Sequence, residues 1–335
     1  PRLRSGEPWT RSAQAVTHPF LATAVVGAGA VGSFFGAMLA RAGHAVTLIG
    51  RAPHVQAIQA RGLSLHMTGQ VETVRVAATT ELAAVRSADL VLFCVKSTDT
   101  DDVARQLAPL LGPKTVVLSL QNGVDNAATI ARHVGGRRVV PTVVYVATAM
   151  SEPGVVTHHG RGDLVIGPLD KAAAEAADDS QRERLQAVVE LFASAGVPVR
   201  VSPDVMGELW SKLMVNSAYN AISGLAQVTY GQMAALPAIA ELQRAVVREV
   251  VAVAQADGQD LTLDAALDAM EGIARAMPAQ LSSTAQDMAR GKPSEIDHLN
   301  GFVARRGAEL GIATPVNQTL HALVKLVEAT RPRSA

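Results

Sequence analysis

The hexapeptide GAGAVG at positions 27–32 restricts this chain to few folds. A short apolar run, LATAVV, precedes it, and SFFGAMLARAG follows with apolar residues at helical spacing. A strand must therefore pass into a helix through a turn with glycine at its first, third and sixth positions. In that setting Gly27 allows the tight turn, Gly29 lets a ligand approach the backbone, and Gly32 lets helix and strand pack closely. Ala28, Ala30 and Val31 complete a helix N-terminus whose free amides suit an anion. Residues 27–32 are thus expected to cradle the pyrophosphate of a dinucleotide.

The rest of the first half fits that start. HAVTLIG reads as a second strand, and APHVQAIQARG as a helix opened by Pro53 and closed by Gly62. LSLHM and VETVRVAA flank a Thr-Gly turn, as in a hairpin. ADLVLFCV, a helix near residues 99–110, KTVVLSL, a helix near 126–133, and RRVVPTVVYVA continue the alternation. Repeats of strand and helix at this length predict a mostly parallel sheet with helices on both faces. GVVTHHGRGDLVIGP is expected to form two antiparallel strands turning at Gly160–Gly162, and Ser180 with Glu183 a capping box. VPVRVS supplies the last strand, and the boundary falls at 202–203.

Beyond Pro203 only helical spacing recurs, with Thr314 and Pro315 expected to cap and open the last helix. The uncharged run 213–240 is interrupted by Asn216, Asn220, Gly224, Gly231 and Pro237, which predicts a buried helix pair and no membrane span. At 335 residues two domains are expected, 21–202 and 203–330, with residues 1–20 a disordered tail outside the fold. KAAAEAADD is expected to be an exposed loop or helix end.

Basic and acidic residues balance at 30 each, which gives no electrostatic footprint for nucleic acid or a membrane surface. The lone Cys94 sits in an apolar run, so a packed inert thiol in a reducing cytoplasm is expected. His158 and His159 lack a third ligand nearby, and no metal site is expected.

Cofactor choice is read at the end of the second strand. TLIGRAPH carries no acid there and offers Arg51, whose guanidinium suits a 2′-phosphate and hence NADPH. A solvated arginine at a strand end is the alternative. Lys96 in CVKS and Asn122 in SLQNG lie at the carboxyl ends of later strands, where open α/β sheets bind ligands. A surface lysine and a turn residue are the plainer readings of these two.

In the helical half, ELWSKLMVNSAYN aligns Lys212, Asn216 and Asn220 at steps of four, on one helical face. Taken with GAGAVG, the arginine after the second strand, VKS, QNG and SSTAQDMARGKPSEIDHLNG, the chain resembles the ketopantoate reductases over residues 21–328. That family implies an α/β Rossmann-type N-terminal domain followed by an all-α C-terminal domain like that of 6-phosphogluconate dehydrogenase. It implies an active site between the two, with Lys212 as general acid and Asn216, Asn220 and Ser283 as substrate contacts. Glu295 would serve the nicotinamide–substrate end, and Gly27, Gly29, Gly32, Arg51, Lys96 and Asn122 would serve NADPH.

The implied reaction reduces 2-dehydropantoate to pantoate, a step toward pantothenate and coenzyme A. Its chemistry suits the residues. An alkoxide forming at the keto carbon needs a proton, and a lysine desolvated by burial, with a carboxylate opposing the shift, can give one. Another branched 2-keto acid, an opine-type dehydrogenation, or a non-catalytic NADP sensor are the rival functions. The partner is a small 2-keto acid, with room for a dimer surface on the apolar helical half. Gly50 before Arg51 departs from a plain fit, and VVYVATAM offers no chemical group except Tyr145.

Overall fold

The computed structural model describes residues 20–169 and 178–330. The expected tail lies outside them except for Phe20, which is buried in the core of the sheet. Most of the alanine-rich stretch also lies outside them.

Strands β1 (Ala22–Val26), β2 (Ala45–Ile49), β5 (Ala77–Thr79), β6 (Leu90–Phe93), β7 (Val116–Ser119) and β8 (Val139–Glu152) form a parallel sheet in the order β5-β2-β1-β6-β7-β8. Between them run α1 (Ala30–Arg41), α2 (Ala52–Arg61), α3 (Thr100–Leu107) and α4 (Asn126–Val134). The LVLF of β6 is buried along its whole length, as a central strand covered on both faces requires. Each such side chain contributes about 1.5–3 kcal/mol by leaving water. The strand order reverses between β1 and β6, which opens a crevice at their carboxyl ends.

The sheet continues as a mixed extension. β9 (Val155–Ile166) runs antiparallel to β8, and β3 (Leu63–Met67) and β10 (Val199–Val201) each pair parallel to it. β4 (Gln70–Val74) closes the edge against β3. The expected hairpin within GVVTHHGRGDLVIGP is therefore absent, because one long strand spans it. Gly160, Arg161 and Gly162 all take positive φ, and they bulge β9 without reversing it. VETVRVAA likewise divides between β4 and β5, which pair with different neighbours.

The helices that follow are α5 (Asp179–Ser194), α6 (Val205–Ala226), α7 (Tyr230–Ala234), α8 (Pro237–Ala256), α9 (Leu263–Ala276), α10 (Ser283–Ala289), α11 (Asn300–Leu310) and α12 (Pro315–Thr330). The uncharged run becomes three pieces, the end of α6, all of α7 and the start of α8. The chain breaks at Gln227, left-handed at φ 55°, and at Pro237. Gly224 stays inside α6. A Cβ there would lie 2.7 Å from Thr284 Cγ2 and 2.9 Å from Met288 Sδ, so its bareness lets α10 pack closely.

Two caps differ from expectation. α5 is capped by Asp178, which accepts the Gln181 amide while Gln181 returns the bond, two residues before the expected Ser180. At α12 Thr314 takes the N-cap position, its carbonyl accepting the Gln318 amide, while the amides of Val316 and Asn317 go to the Glu249 carboxylate and not to the Thr314 hydroxyl. The core of the helical half gathers around Trp210, Leu213, Met214 and Tyr219, and reaches Val143 and Val165 of the sheet.

Candidate active site

The turn after β1 places its glycines for three separate reasons. At Gly27, φ 98°, a Cβ would lie 2.5 Å from Val95 N, and at Gly32 one would lie 2.4 Å from Gly27 O. At Gly29 nothing stands within 4 Å, so the backbone is open to a ligand there. The first amides of α1 have no intrahelical acceptor and face that opening. Gly50 abuts the same turn, since its Cβ would lie 2.9 Å from Ala28 Cβ. Arg51 follows it, exposed, at the N-cap of α2. The residues at the glycine turn fit a dinucleotide, with free helix-terminal amides on one side and a guanidinium at the strand end.

A buried histidine, which the sequence did not single out, steadies this corner. His54 Nδ1 accepts the Gly154 amide at 2.9 Å, so its proton sits on Nε2, 3.0 Å from Ser33 Oγ. Burial, aided by nearby Arg51, lowers its pKa and keeps the ring neutral.

The loops after β6 and β7 are fastened to each other. Gln121 Nε2 donates to Val95 O at 3.0 Å and to Thr100 Oγ1 at 2.7 Å, and Asn126 Nδ2 donates to Asn122 O at 2.6 Å. These bonds fix Asn122 at the crevice, where α6 reaches it. Lys212 Nζ donates to Asn122 Oδ1 at 2.9 Å and to Val144 O at 2.5 Å. The other end of the Asn122 amide donates to Glu295 Oε2 at 3.1 Å. Glu295 Oε1 in turn accepts the Ser97 amide at 3.1 Å. An ammonium, an amide and a carboxylate thus form one chain across the junction of sheet and helices.

Lys212 has two of its three N–H groups engaged, which leaves the third for a reacting atom. Lys212 is half-buried, and the desolvation of its ammonium lowers its pKa to about 8. Glu295 opposes the shift and Arg161 adds to it. This is the environment expected of a lysine that gives up a proton near neutral pH.

Along the same face of α6, Asn216 is half-buried and Asn220 buried, with Asn220 Nδ2 donating to Ser283 Oγ at 3.3 Å. The span from Lys212 to Asn220 is about 12 Å. Ser283 is the first residue of α10, while its neighbour Ser282 forms the cap by accepting the Ala285 amide. Lys96 stands on the loop after β6. Its Nζ donates to Asp287 Oδ2 at 3.1 Å and to Pro293 O at 2.7 Å, so it ties the β6 loop to the helical half. Val144 and Ser97 were not foreseen. The Val144 contribution is a backbone carbonyl, which leaves no mark in sequence, whereas the Ser97 hydroxyl stood visible beside Lys96. Cys94 lies behind the glycine turn, and burial raises its thiol pKa, so it stays a thiol.

Residues 23–171 match the family profile described as ketopantoate reductase PanE/ApbA, and residues 204–328 match its C-terminal counterpart. A 2-dehydropantoate 2-reductase of Halobacterium salinarum is 34% identical over 306 residues, covering 91% of this chain and 98% of that protein. The crystal structure of a PanE/ApbA family ketopantoate reductase from Ralstonia eutropha JMP134 has a TM-score of 0.83 at 50% identity. That match covers 92% of this chain and 98% of the other. A ternary structure of D-mandelate dehydrogenase with NADH and anilino(oxo)acetate shares the fold, with TM-score 0.84 and 24% identity over 92% of this chain and 98% of that one. Among the described residues no helix is long and apolar enough to cross a membrane. This chain belongs to the ketopantoate reductase family and is an oxidoreductase.

Proposed function

We propose that this member of the ketopantoate reductase family uses NADPH to reduce a 2-keto acid to the 2-hydroxy acid, with 2-dehydropantoate as substrate. The observation that carries the proposal is Lys212, whose ammonium is held by Asn122 Oδ1 and the Val144 carbonyl where α6 meets the sheet, with a pKa lowered to about 8. Domain roles follow: residues 21–202 hold the nucleotide and residues 203–330 supply the acid and the substrate grip.

NADPH, held by the glycine-turn amides with Arg51 on its 2′-phosphate, would supply the hydride. As the keto oxygen becomes an alkoxide, Lys212 gives it the proton, held in place by Asn122 Oδ1 and the Val144 carbonyl. Asn216, Asn220 and Ser283 offer hydrogen bonds to the rest of the acid. Glu295 orients Asn122 and keeps the Lys212 pKa from falling further. With a pKa near 8, Lys212 regains its proton from solvent at neutral pH and is ready for the next turnover.

The test is Lys212→Ala, assayed by NADPH oxidation. Its kcat should fall by about 10²–10⁴, with NADPH affinity by fluorescence titration little changed. Turnover equal to wild type would remove Lys212 as the acid. A panel of branched 2-keto acids, each assayed with NADPH and with NADH, identifies the substrate and the nucleotide. A cytoplasmic location and a dimer belong to the same proposal. Leu323 and Leu326, exposed on α12, are apolar candidates for the dimer contact, to be checked by light scattering of the eluted protein.

A further inference from the structure

A second cation approaches the Lys212 pocket from the sheet side. Arg161 on β9 has φ 54°, in the left-handed region, between Gly160 and Gly162 at φ 152° and 144°. The ladder slips at this point: Tyr145 pairs with Asp163 and Val146 with Arg161, so Gly162 is the extra residue of a bulge. Bulges re-aim side chains, and here the Arg161 guanidinium lies 4.1 Å from the centre of the Tyr145 ring. Lys212 Nζ lies 5.8 Å from that same centre. Two cations lie within reach of one aromatic ring.

The bulge is braced from below. A Cβ on Gly162 would lie 3.5 Å from ring atoms of Phe34, a residue of α1. Phe34 also stacks on His158 with ring centres 4.5 Å apart, and His158 Nε2 bonds the Arg161 carbonyl. A left-handed arginine is uncommon and persists only where its surroundings hold it. Asp163 takes Arg161 Nε at 3.1 Å and Nη2 at 2.7 Å, which aligns the guanidinium and leaves its outer edge, Nη1 and the second Nη2 hydrogen, as an unused fork.

The proposed chemistry requires such a group. Lys212 surrenders its proton during reduction, so its charge cannot hold the substrate carboxylate throughout. Lys96 is occupied by Asp287 and the Pro293 carbonyl. Arg200, which also acts on Tyr145, has both terminal nitrogens engaged by Glu208, whereas Arg161 keeps Nη1. A guanidinium keeps its charge and matches a carboxylate edge to edge. We propose that Arg161 is a substrate-binding residue whose outer N–H edge grips the carboxylate of the 2-keto acid over the Tyr145 ring. Lys212 then meets the keto oxygen. The inference rests on the reductase reading above.

The test compares wild type with Arg161→Gly, because glycine accepts the left-handed backbone and so preserves folding. The variant should raise KM for 2-dehydropantoate about tenfold or more, with KM for NADPH unchanged and Arg161→Lys recovering part of the loss. Calorimetry with pantoate and with its neutral primary amide separates charge recognition from general damage. The variant should lose affinity for pantoate and bind the amide as wild type does. Equal binding of pantoate by the two proteins, or equal loss for acid and amide, would overturn the assignment. If wild type reduces no 2-keto acid with either nucleotide, the reductase reading falls, and the assignment of Arg161 stands only if wild type still binds pantoate and the variant does not.

Discussion

In the proposed reaction Lys212 concentrates the chemistry in one titratable atom, so its behaviour with pH is the sharpest consequence at the scale of single residues. Burial lowers its pKa from 10.5 to about 8, which makes the ammonium costly in the folded protein below that pH. A lysine with a depressed folded pKa binds fewer protons than the unfolded chain between about 8 and 10.5. The cost is therefore relieved as pH rises through that window. Catalysis runs the other way, since the acid form is the one consumed. For reduction, kcat/KM should be flat at neutral pH and fall as pH rises through about 8, measured by initial rates across buffers of constant ionic strength. A profile that stays level to pH 10 would remove Lys212 as the proton source. Spacing alone revealed the Lys212, Asn216 and Asn220 face. It could not reveal Asn122 as the acceptor, because that residue lies 90 positions away and meets Lys212 only once α6 docks on the sheet.

Among elements, the contact of α6 with α10 sets where Ser283 stands. Gly224 is the point of closest approach, and its neighbours there are the stiff β-branched Thr284 and the flexible Met288. Gly224→Ala should push α10 outward, cost about 1–3 kcal/mol of stability, and raise KM for the keto acid more than KM for NADPH. Thermal unfolding and steady-state kinetics check both halves of that expectation. Unchanged kinetics would mean that Ser283 does not touch the substrate. Element order and most helix starts were readable from periodicity, glycine and proline. The caps were less so, because Asp178 and Ser180 both qualify by residue type and only local geometry selects Asp178. At α12 the acceptor comes from another helix, so no local pattern could show that Glu249 takes the free amides. The GRG of β9 misled for a related reason. Three successive residues of positive φ suit either a turn or a bulge, and the ladder with β8 decides between them.

Across the whole molecule, the sheet and the helices are joined by polar ties at the crevice. Glu295 binds Ser97 and Asn122, and Lys96 binds Asp287 and the Pro293 carbonyl. The negative charge of Glu295 acts on Lys212 through space and raises the lysine pKa against the effect of burial. Glu295→Gln keeps acceptor capacity and removes that charge, so the falling limb of the kcat/KM profile should move to lower pH. An unmoved limb, with the variant folded by circular dichroism, would show that the two groups do not communicate.

By itself the sequence determined a glycine turn between strand and helix, the switch from alternating strands and helices to helices alone, and the polar face of α6. These are local matters of spacing, backbone freedom and period, which a chain carries before it folds. The tertiary structure decided which groups meet Lys212, that Lys96 ties the two halves together, and that a bulge aims Arg161 at the ring beside Lys212. Those outcomes depend on distances between residues far apart in the chain, and only the packing of helices against the sheet sets them.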